Sequence, residues 1–355
     1  MVHNFNAGPS IIPREVMQQA SEALLDFNNS GLSILEIGHR TPLFQSVLTE
    51  AVLLMKELMQ LDADHEVLFL HGGASTQFMQ VPMNLLGEGK TAAYIDNGIW
   101  GSKAIKEAKL FGNVEVVASS KDKNHTYLPK NFTVPDDAMY LHYTTNNTVE
   151  GTQWHSIPDT AAPIVADMSS DILSRKIDFN RFALIYAGAQ KNVGIAGVNI
   201  LVVNKNILGK VERRIPTILD YRNHIENGSM LNTPPVFAIY VSMLTLRWIK
   251  KTGGVEGIEK LNNAKAALFY STLDSLPIFK GPVAVEDRSK MNAVFLLEDP
   301  SLEKQFLEIC KNENLYGIKG YRTVGGFRAS FYNALPLSSV EVLVQVMKDF
   351  ANKVG

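Results

Sequence analysis

Tyr186-Ala187-Gly188-Ala189-Gln190-Lys191-Asn192 is an apolar run that gives way to small residues and then to a lysine. This pattern puts Lys191 at the carboxyl end of a strand, on a loop whose neighbours are small enough to admit a flat ligand. A lysine there is either solvated or an amine held in a site. Asp167 closes another apolar run, Ile164-Val165-Ala166-Asp167, before Met168-Ser169-Ser170. With the two runs side by side in one sheet, Asp167 and Lys191 share an edge. That pairing is a salt bridge, or it is what pyridoxal phosphate requires: an amine to form a Schiff base and an acid to keep the pyridine nitrogen protonated.

Gly72-Gly73-Ala74-Ser75-Thr76-Gln77 follows the run Val67–Leu70 and opens a helical pattern. Exposed backbone N–H groups at a helix start suit a phosphate, although a tight turn capped by Ser75 or Thr76 reads the same way. The spacing is not the dinucleotide fingerprint. Gly87-Glu88-Gly89-Lys90-Thr91 is not an ATPase phosphate loop either, because Asn84 stands where the first glycine is needed and a strand follows. Trp100 and Thr148 each come just after an apolar run, placed to stack on a ring and to bond a ring hydroxyl. His39-Arg40, before Pro42, and Arg322 and Arg328, flanking Gly325-Gly326, offer guanidinium groups for carboxylate or phosphate.

The elements that must position these residues are legible. Helical spacing runs from Arg14 and over 42–59, 75–86 and 101–111. Apolar runs at 67–70, 92–95, 114–117, 139–143, 164–167, 183–187 and 199–203 predict a largely parallel seven-stranded sheet, buried on both faces. A long helix over 235–251 stops at Gly253-Gly254. Beyond it lie a helix over 256–275, strands at 283–286, 293–297 and 327–332, a helix over 301–314 and a last helix from Ser338. The prediction is an α/β fold with an arm over 1–15, a large domain over 16–255 and a smaller α+β domain over 256–355.

Composition narrows the function. The 355 residues carry 34 basic and 36 acidic side chains, so no basic excess suggests nucleic acid or an anionic membrane as partner. Cys310 is the sole cysteine, which excludes an intrachain disulfide framework and a cysteine-cluster metal site. No metal is expected. Without a signal-like start or a long apolar run, the expected location is the cytoplasm.

Longer stretches carry a resemblance. NFNAGPS at 4–10, GHR at 38–40, GGASTQF at 72–78, VPMNLL at 81–86, NGIWG at 97–101 and NNTVEG at 146–151 follow the pattern of the phosphoserine aminotransferase family. So do ADMSSD at 166–171, YAGAQKN at 186–192, LNTPPVFAIY at 231–240 and GGFRASFYNA at 325–334. The chain resembles these class V, fold-type I pyridoxal-phosphate enzymes along its whole length. The resemblance implies Lys191 as the Schiff-base lysine, Asp167 on the pyridine nitrogen, Trp100 stacked on the ring and Thr148 on its 3-hydroxyl. It implies Ala74, Ser75 and Gln190 at the cofactor phosphate, completed by Asn232 and Thr233 from the other subunit of a homodimer. Arg328 would hold the α-carboxylate, and His39, Arg40 and Arg322 the substrate's distal anion. Tyr321 stands where a histidine is common, so it can donate a hydrogen bond there but brings no positive charge.

The implied reaction is ping-pong transfer of an amino group from L-glutamate to 3-phosphohydroxypyruvate, giving O-phospho-L-serine and 2-oxoglutarate in serine biosynthesis. A second role on 3-hydroxy-2-oxo-4-phosphobutanoate in pyridoxine biosynthesis is left open. The alternatives are another small-amino-acid aminotransferase and a cysteine desulfurase, for which Cys310 would have to reach the substrate. A binding protein on the same scaffold would have no need of both Lys191 and Asp167.

Overall fold

The computed structural model describes residues 2–354. A short strand β1 (His3–Asn4) precedes helices α1 (Arg14–Leu25) and α2 (Pro42–Met59). Pro42 at the first helical position costs α2 nothing, because that N–H would have no intrahelical acceptor. Strands and helices then alternate: β2 (His65–His71), α3 (Ala74–Leu85), β3 (Thr91–Asp96), α4 (Ile99–Ala108) and β4 (Asn113–Ser119). Strands β5 (Leu141–Thr144), β6 (Ile164–Asp167), β7 (Phe182–Gly188) and β8 (Val198–Asn204) complete one sheet. Its order is β2-β8-β7-β6-β5-β3-β4. Each predicted run in this region overlaps one of its strands, although β5 begins at Leu141 and leaves Met139 and Tyr140 of the run 139–143 before it. Only β8 runs against its neighbours, β2 and β7.

The period of two along each strand divides the core. Phe69, Ile95, Tyr143, Ala166, Ile185 and Ile200 face α1, α2 and a long helix α6 (Val236–Lys251). Leu70, Tyr94, Val165, Leu184 and Leu201 face Phe78 and Val81 of α3 and Ile105 of α4. With both faces covered, the inner strands read as continuous apolar runs, whereas the edge strand β4 is largely exposed, Val116 included, and is not buried on both faces as expected. A short helix α5 (Tyr221–Glu226) precedes α6, and Gly253, with φ of 96°, makes the left-handed turn into α7 (Gly254–Ser275).

Helix α7 reaches both cores: Val255 and Ile258 pack with the large sheet, Phe269 and Leu273 with the carboxyl-terminal region. That region holds β9 (Phe279–Lys280), β10 (Asn292–Leu297), α8 (Glu303–Asn312), β11 (Leu315–Tyr316), β12 (Phe327–Ser330) and α9 (Leu337–Val354). Strands β12-β10-β9 form an antiparallel sheet over a cluster of phenylalanines that includes Phe279, Phe295, Phe306 and Phe327. Strand β1 pairs in parallel with β11, and Phe5 is buried in the same cluster.

Two expectations for this region are corrected. Residues 283–286 are not a strand: Val285–Asp287 is a 3-10 turn. Pro282, which has no N–H, precedes it, and the segment bonds to large-domain loops instead, with Ala284 donating to Thr126 and Asp287 accepting from Gln153. The sheet takes Phe279–Lys280 in its place. Strand β12 also stops at Ser330 rather than 332, and beyond it the carbonyls of Phe331 and Tyr332 accept from the Lys265 ammonium at 2.8 Å each.

Candidate active site

Strands β6 and β7 are parallel neighbours, so Asp167, at the end of one, and the loop after the other open on the same sheet edge. Because β8 turns back antiparallel, residues 189–197 form a tight connection and Lys191 stays over that edge. A cavity of about 410 Å³ lies there. Its walls include Ala74, Ser75, Trp100, Thr148, Asp167, Gln190, Lys191, Tyr321 and Arg328. The structure therefore brings these nine predicted residues together. Asn232, Thr233, His39, Arg40 and Arg322 do not line the cavity of their own chain.

The Lys191 amine is enclosed, and desolvation lowers its pKa to about 8, with the charge of Arg328 acting in the same direction. Asp167 and Asp171 oppose that shift. Asp167 is buried, which raises its pKa, while Lys191 and a hydrogen bond from the Ser169 N–H at 2.9 Å pull it back. The two groups feel each other's charge yet form no ion pair within 4.0 Å among the described residues. An amine and a carboxylate held apart across a cavity leave room for a flat heterocycle between them.

Trp100, half-buried on the first turn of α4, donates its indole N–H to the Thr148 hydroxyl at 2.9 Å. The Lys191 Nζ stands 5.9 Å from the centre of its ring. Where the cavity meets α3, the helix begins at Gly73 with no side-chain cap, so its first N–H groups remain available to an anion. Gly72 has φ of 88°, and a Cβ there would lie 2.4 Å from Thr76 Oγ1, so only glycine makes this turn. On the opposite wall Arg328 donates from Nη1 to the Thr148 carbonyl at 2.9 Å, and its Nε is buried without an acceptor. The residues present fit pyridoxal phosphate: an amine, an acid opposite, an aromatic face, and a helix start for the phosphate.

Several site residues carried no signal strong enough to single them out. Gly8 packs so closely that a Cβ would stand 3.3 Å from Lys191 Cγ, and Ala7 and Gly8 both line the cavity. Asn146, Ser169 and Ser170 line it too. Asp171, four residues after Asp167, is buried and accepts from the Thr145 hydroxyl and, at 3.2 Å, from Gln153. The ADMSSD stretch contained Asp171, but nothing in its spacing separated a wall residue from one beneath the wall. Cys310 lies in the core of the carboxyl-terminal region, its thiol pushed up to about 12 by burial, and is absent from the cavity wall.

Fold and site are those of a fold-type I pyridoxal-phosphate transferase, and the aminotransferase class-V family model matches residues 2–343. Full-length relatives narrow this. The phosphoserine aminotransferase of Flavobacterium johnsoniae is 56% identical over 353 residues, 99% of either chain. The solved phosphoserine aminotransferase of Bacillus circulans subsp. alkalophilus is 44% identical with a TM-score of 0.97, covering 100% of this chain and 99% of its own. A structure of the pyridoxal-phosphate-bound enzyme from Trichomonas vaginalis is 36% identical, with a TM-score of 0.93 over 98% of this chain and 100% of its own. The chain belongs to the class-V aminotransferases and, within them, to the phosphoserine aminotransferases.

Proposed function

We propose that the chain moves an amino group from L-glutamate to 3-phosphohydroxypyruvate, with the assignment of roles to single residues carried by the Lys191–Asp167 placement. When bound, pyridoxal phosphate supplies an electron sink for the negative charge that develops at the substrate α-carbon. Asp167 holds the proton on the ring nitrogen. Burial weakens its hold on its own negative charge, and a cationic ring nitrogen is the partner that restores it. Lys191 would be the attachment point for the cofactor, and its amine would serve as the base that moves the proton at the substrate α-carbon. An amine near pKa 8 gives up its proton far more readily than an ordinary lysine, as a base must.

Trp100 would cover one face of the ring and exclude water. Thr148 has its hydroxyl oriented by the indole N–H and can donate to the ring hydroxyl. Ala74, Ser75 and Gln190 hold the phosphate. Arg328 takes the α-carboxylate in two parallel bonds, for which its Nε is still without an acceptor. The cavity accepts glutamate and the phosphorylated keto acid in turn, so the kinetics are ping-pong. The domain division at 255/256, with the arm over 1–15, places Arg328 and Lys191 in different domains. Nothing in the cavity wall offers a thiol, which disfavours desulfuration.

Asn232 and Thr233 stay in the proposal as groups completing a second chain's site, and His39, Arg40 and Arg322 as receivers of the substrate's distal anion. Asn232 lies beside His71 at 3.4 Å, on the outside of the loop that opens α3. Leu32 and Leu35, in the segment leading to His39, are exposed apolar side chains of the kind a homodimer covers. In that dimer the partner subunit's Asn232 and Thr233 reach the cofactor phosphate. Mixing Lys191→Ala chains with Asn232→Ala/Thr233→Ala chains tests it. Shared sites restore activity, because one hybrid site carries neither defect, whereas self-contained sites restore none. Substrate choice is tested by assaying 3-phosphohydroxypyruvate against its unphosphorylated and four-carbon phosphorylated analogues, with glutamate as donor. Equal turnover of the unphosphorylated compound would overturn the substrate assignment.

A further inference from the structure

We infer that Glu150 is a positioning residue that holds the Trp100 wall of the site from beneath. This rests on the reading of Trp100 and Thr148 as cofactor contacts. Helix α4 starts at Gly98, a residue with no side chain to cap it, and receives no cap of its own. The missing acceptor arrives from a loop some fifty residues further along: Glu150 Oε1 takes the Ile99 N–H at 2.8 Å. Glu150 is 7% exposed, so this carboxylate does its work inside the protein. A negative group at the start of a helix is favoured by the helix dipole as well as by the hydrogen bond.

The second carboxylate oxygen tightens the arrangement. Glu150 Oε2 and Asn147 Oδ1 are both buried without a donor, and both crowd Gly98. A Cβ on Gly98 would lie 2.9 Å from the first and 2.4 Å from the second. Glycine at 98 therefore exists to let the carboxylate come close. Within three residues one loop then touches the site by three routes. The Thr148 hydroxyl accepts from the Trp100 indole, the Thr148 carbonyl accepts from Arg328, and Glu150 fixes the backbone one residue before Trp100. Burial raises the Glu150 pKa, and the positive charge of Arg328 works against that rise. Glu150 is not among the residues lining the cavity. It sets where the indole plane and the Thr148 hydroxyl stand.

The test is titration of the full chain, freed of cofactor, with pyridoxal phosphate, followed by quenching of tryptophan fluorescence. Melting temperatures are taken on the same samples. Glu150→Ala removes both the acceptor and the charge. Glu150→Gln keeps an oxygen for the Ile99 N–H and removes the charge. The expected result is about tenfold weaker cofactor binding in Glu150→Ala, the scale of one lost buried hydrogen bond. Glu150→Gln should return within about twofold of the unsubstituted chain, and added cofactor should restore kcat in Glu150→Ala. Unchanged affinity in Glu150→Ala overturns the inference, and so does a loss that Glu150→Gln shares in full. Trp100→Ala, run alongside, separates the two readings. If it too binds normally, the reading of the site fails. If it binds weakly while Glu150→Ala binds normally, only the role of Glu150 fails.

Discussion

The Ser10 hydroxyl donates to the backbone carbonyl of Lys191 at 2.7 Å, joining the amino-terminal arm to the connection that carries the reactive amine. The Ser10 N–H reaches Gln190 in the same way at 3.1 Å. The arm is itself held at its other side, where Tyr332 donates to the Ala7 carbonyl at 2.8 Å. A segment that reads as an extended tail is thus one wall of the site.

Ser10→Ala removes one of these ties. A hydrogen bond of this kind contributes about 0.5–1.5 kcal/mol. Cofactor release on dilution, followed by loss of visible absorbance, should quicken by about two- to tenfold while the melting temperature moves little. An unchanged release rate would show that the arm does not restrain Lys191.

Attachment of pyridoxal phosphate requires the unprotonated Lys191 amine. Its rate, measured by stopped-flow absorbance, should climb with pH and level off above about 8 instead of near the ordinary lysine value. Asp167 holds that pKa up and Arg328 holds it down. Asp167→Asn should therefore move the midpoint lower, and Arg328→Met should move it higher. Shifts in the reverse directions would contradict the charge arrangement. Lys191→Ala should bind no cofactor covalently and lose at least about a hundredfold in turnover from the missing proton transfer alone.

Arg328→Met should lower kcat/KM for glutamate by about 10- to 100-fold, since a hydrogen bond to a charged group contributes about 1.5–3 kcal/mol. Most of the loss belongs in KM. Arg328→Lys restores the charge without the fork and should recover only part of it. Steady-state kinetics at saturating keto acid decide this, and full recovery by lysine would argue against a two-bond grip.

Lys265 is buried, meets no carboxylate among the described residues, and donates only to the Phe331 and Tyr332 carbonyls. Desolvation lowers its pKa to about 7. Below that pH both folded and unfolded chains carry the proton, so the cost of burying the charge is present in full. Between about 7 and the unfolded value near 10.4 the folded chain sheds it first, and stability rises with pH. Lys191, lowered to about 8, adds in the same direction. Denaturation of the unsubstituted chain and of Lys265→Met at pH 7 and pH 9.5 isolates the Lys265 share, because the substituted chain should gain less stability between the two. An equal gain would show that Lys265 stays charged.

Much of the fold is legible in the sequence. A sheet buried on both faces must be built from uninterrupted apolar runs, so its strands were visible, and the polar residue that ends each run was placed at the sheet's edge by the same logic. Asp167, Lys191 and the glycine turn at 72–73 could be read that way because their surroundings are local. The direction of β8 was not legible, since antiparallel and parallel strands buried on both sides share one composition. Residues 283–286 failed for a related reason: Val-Ala-Val-Glu alternates like a strand, but its backbone bonds to distant loops after Pro282. Tertiary structure alone decided that Ser10 and Gly8 press on Lys191, that Glu150 caps a helix fifty residues away, and that Lys265 donates to the carbonyls just after β12. Each depends on contacts between segments far apart in sequence, whose distances no spacing along the chain encodes.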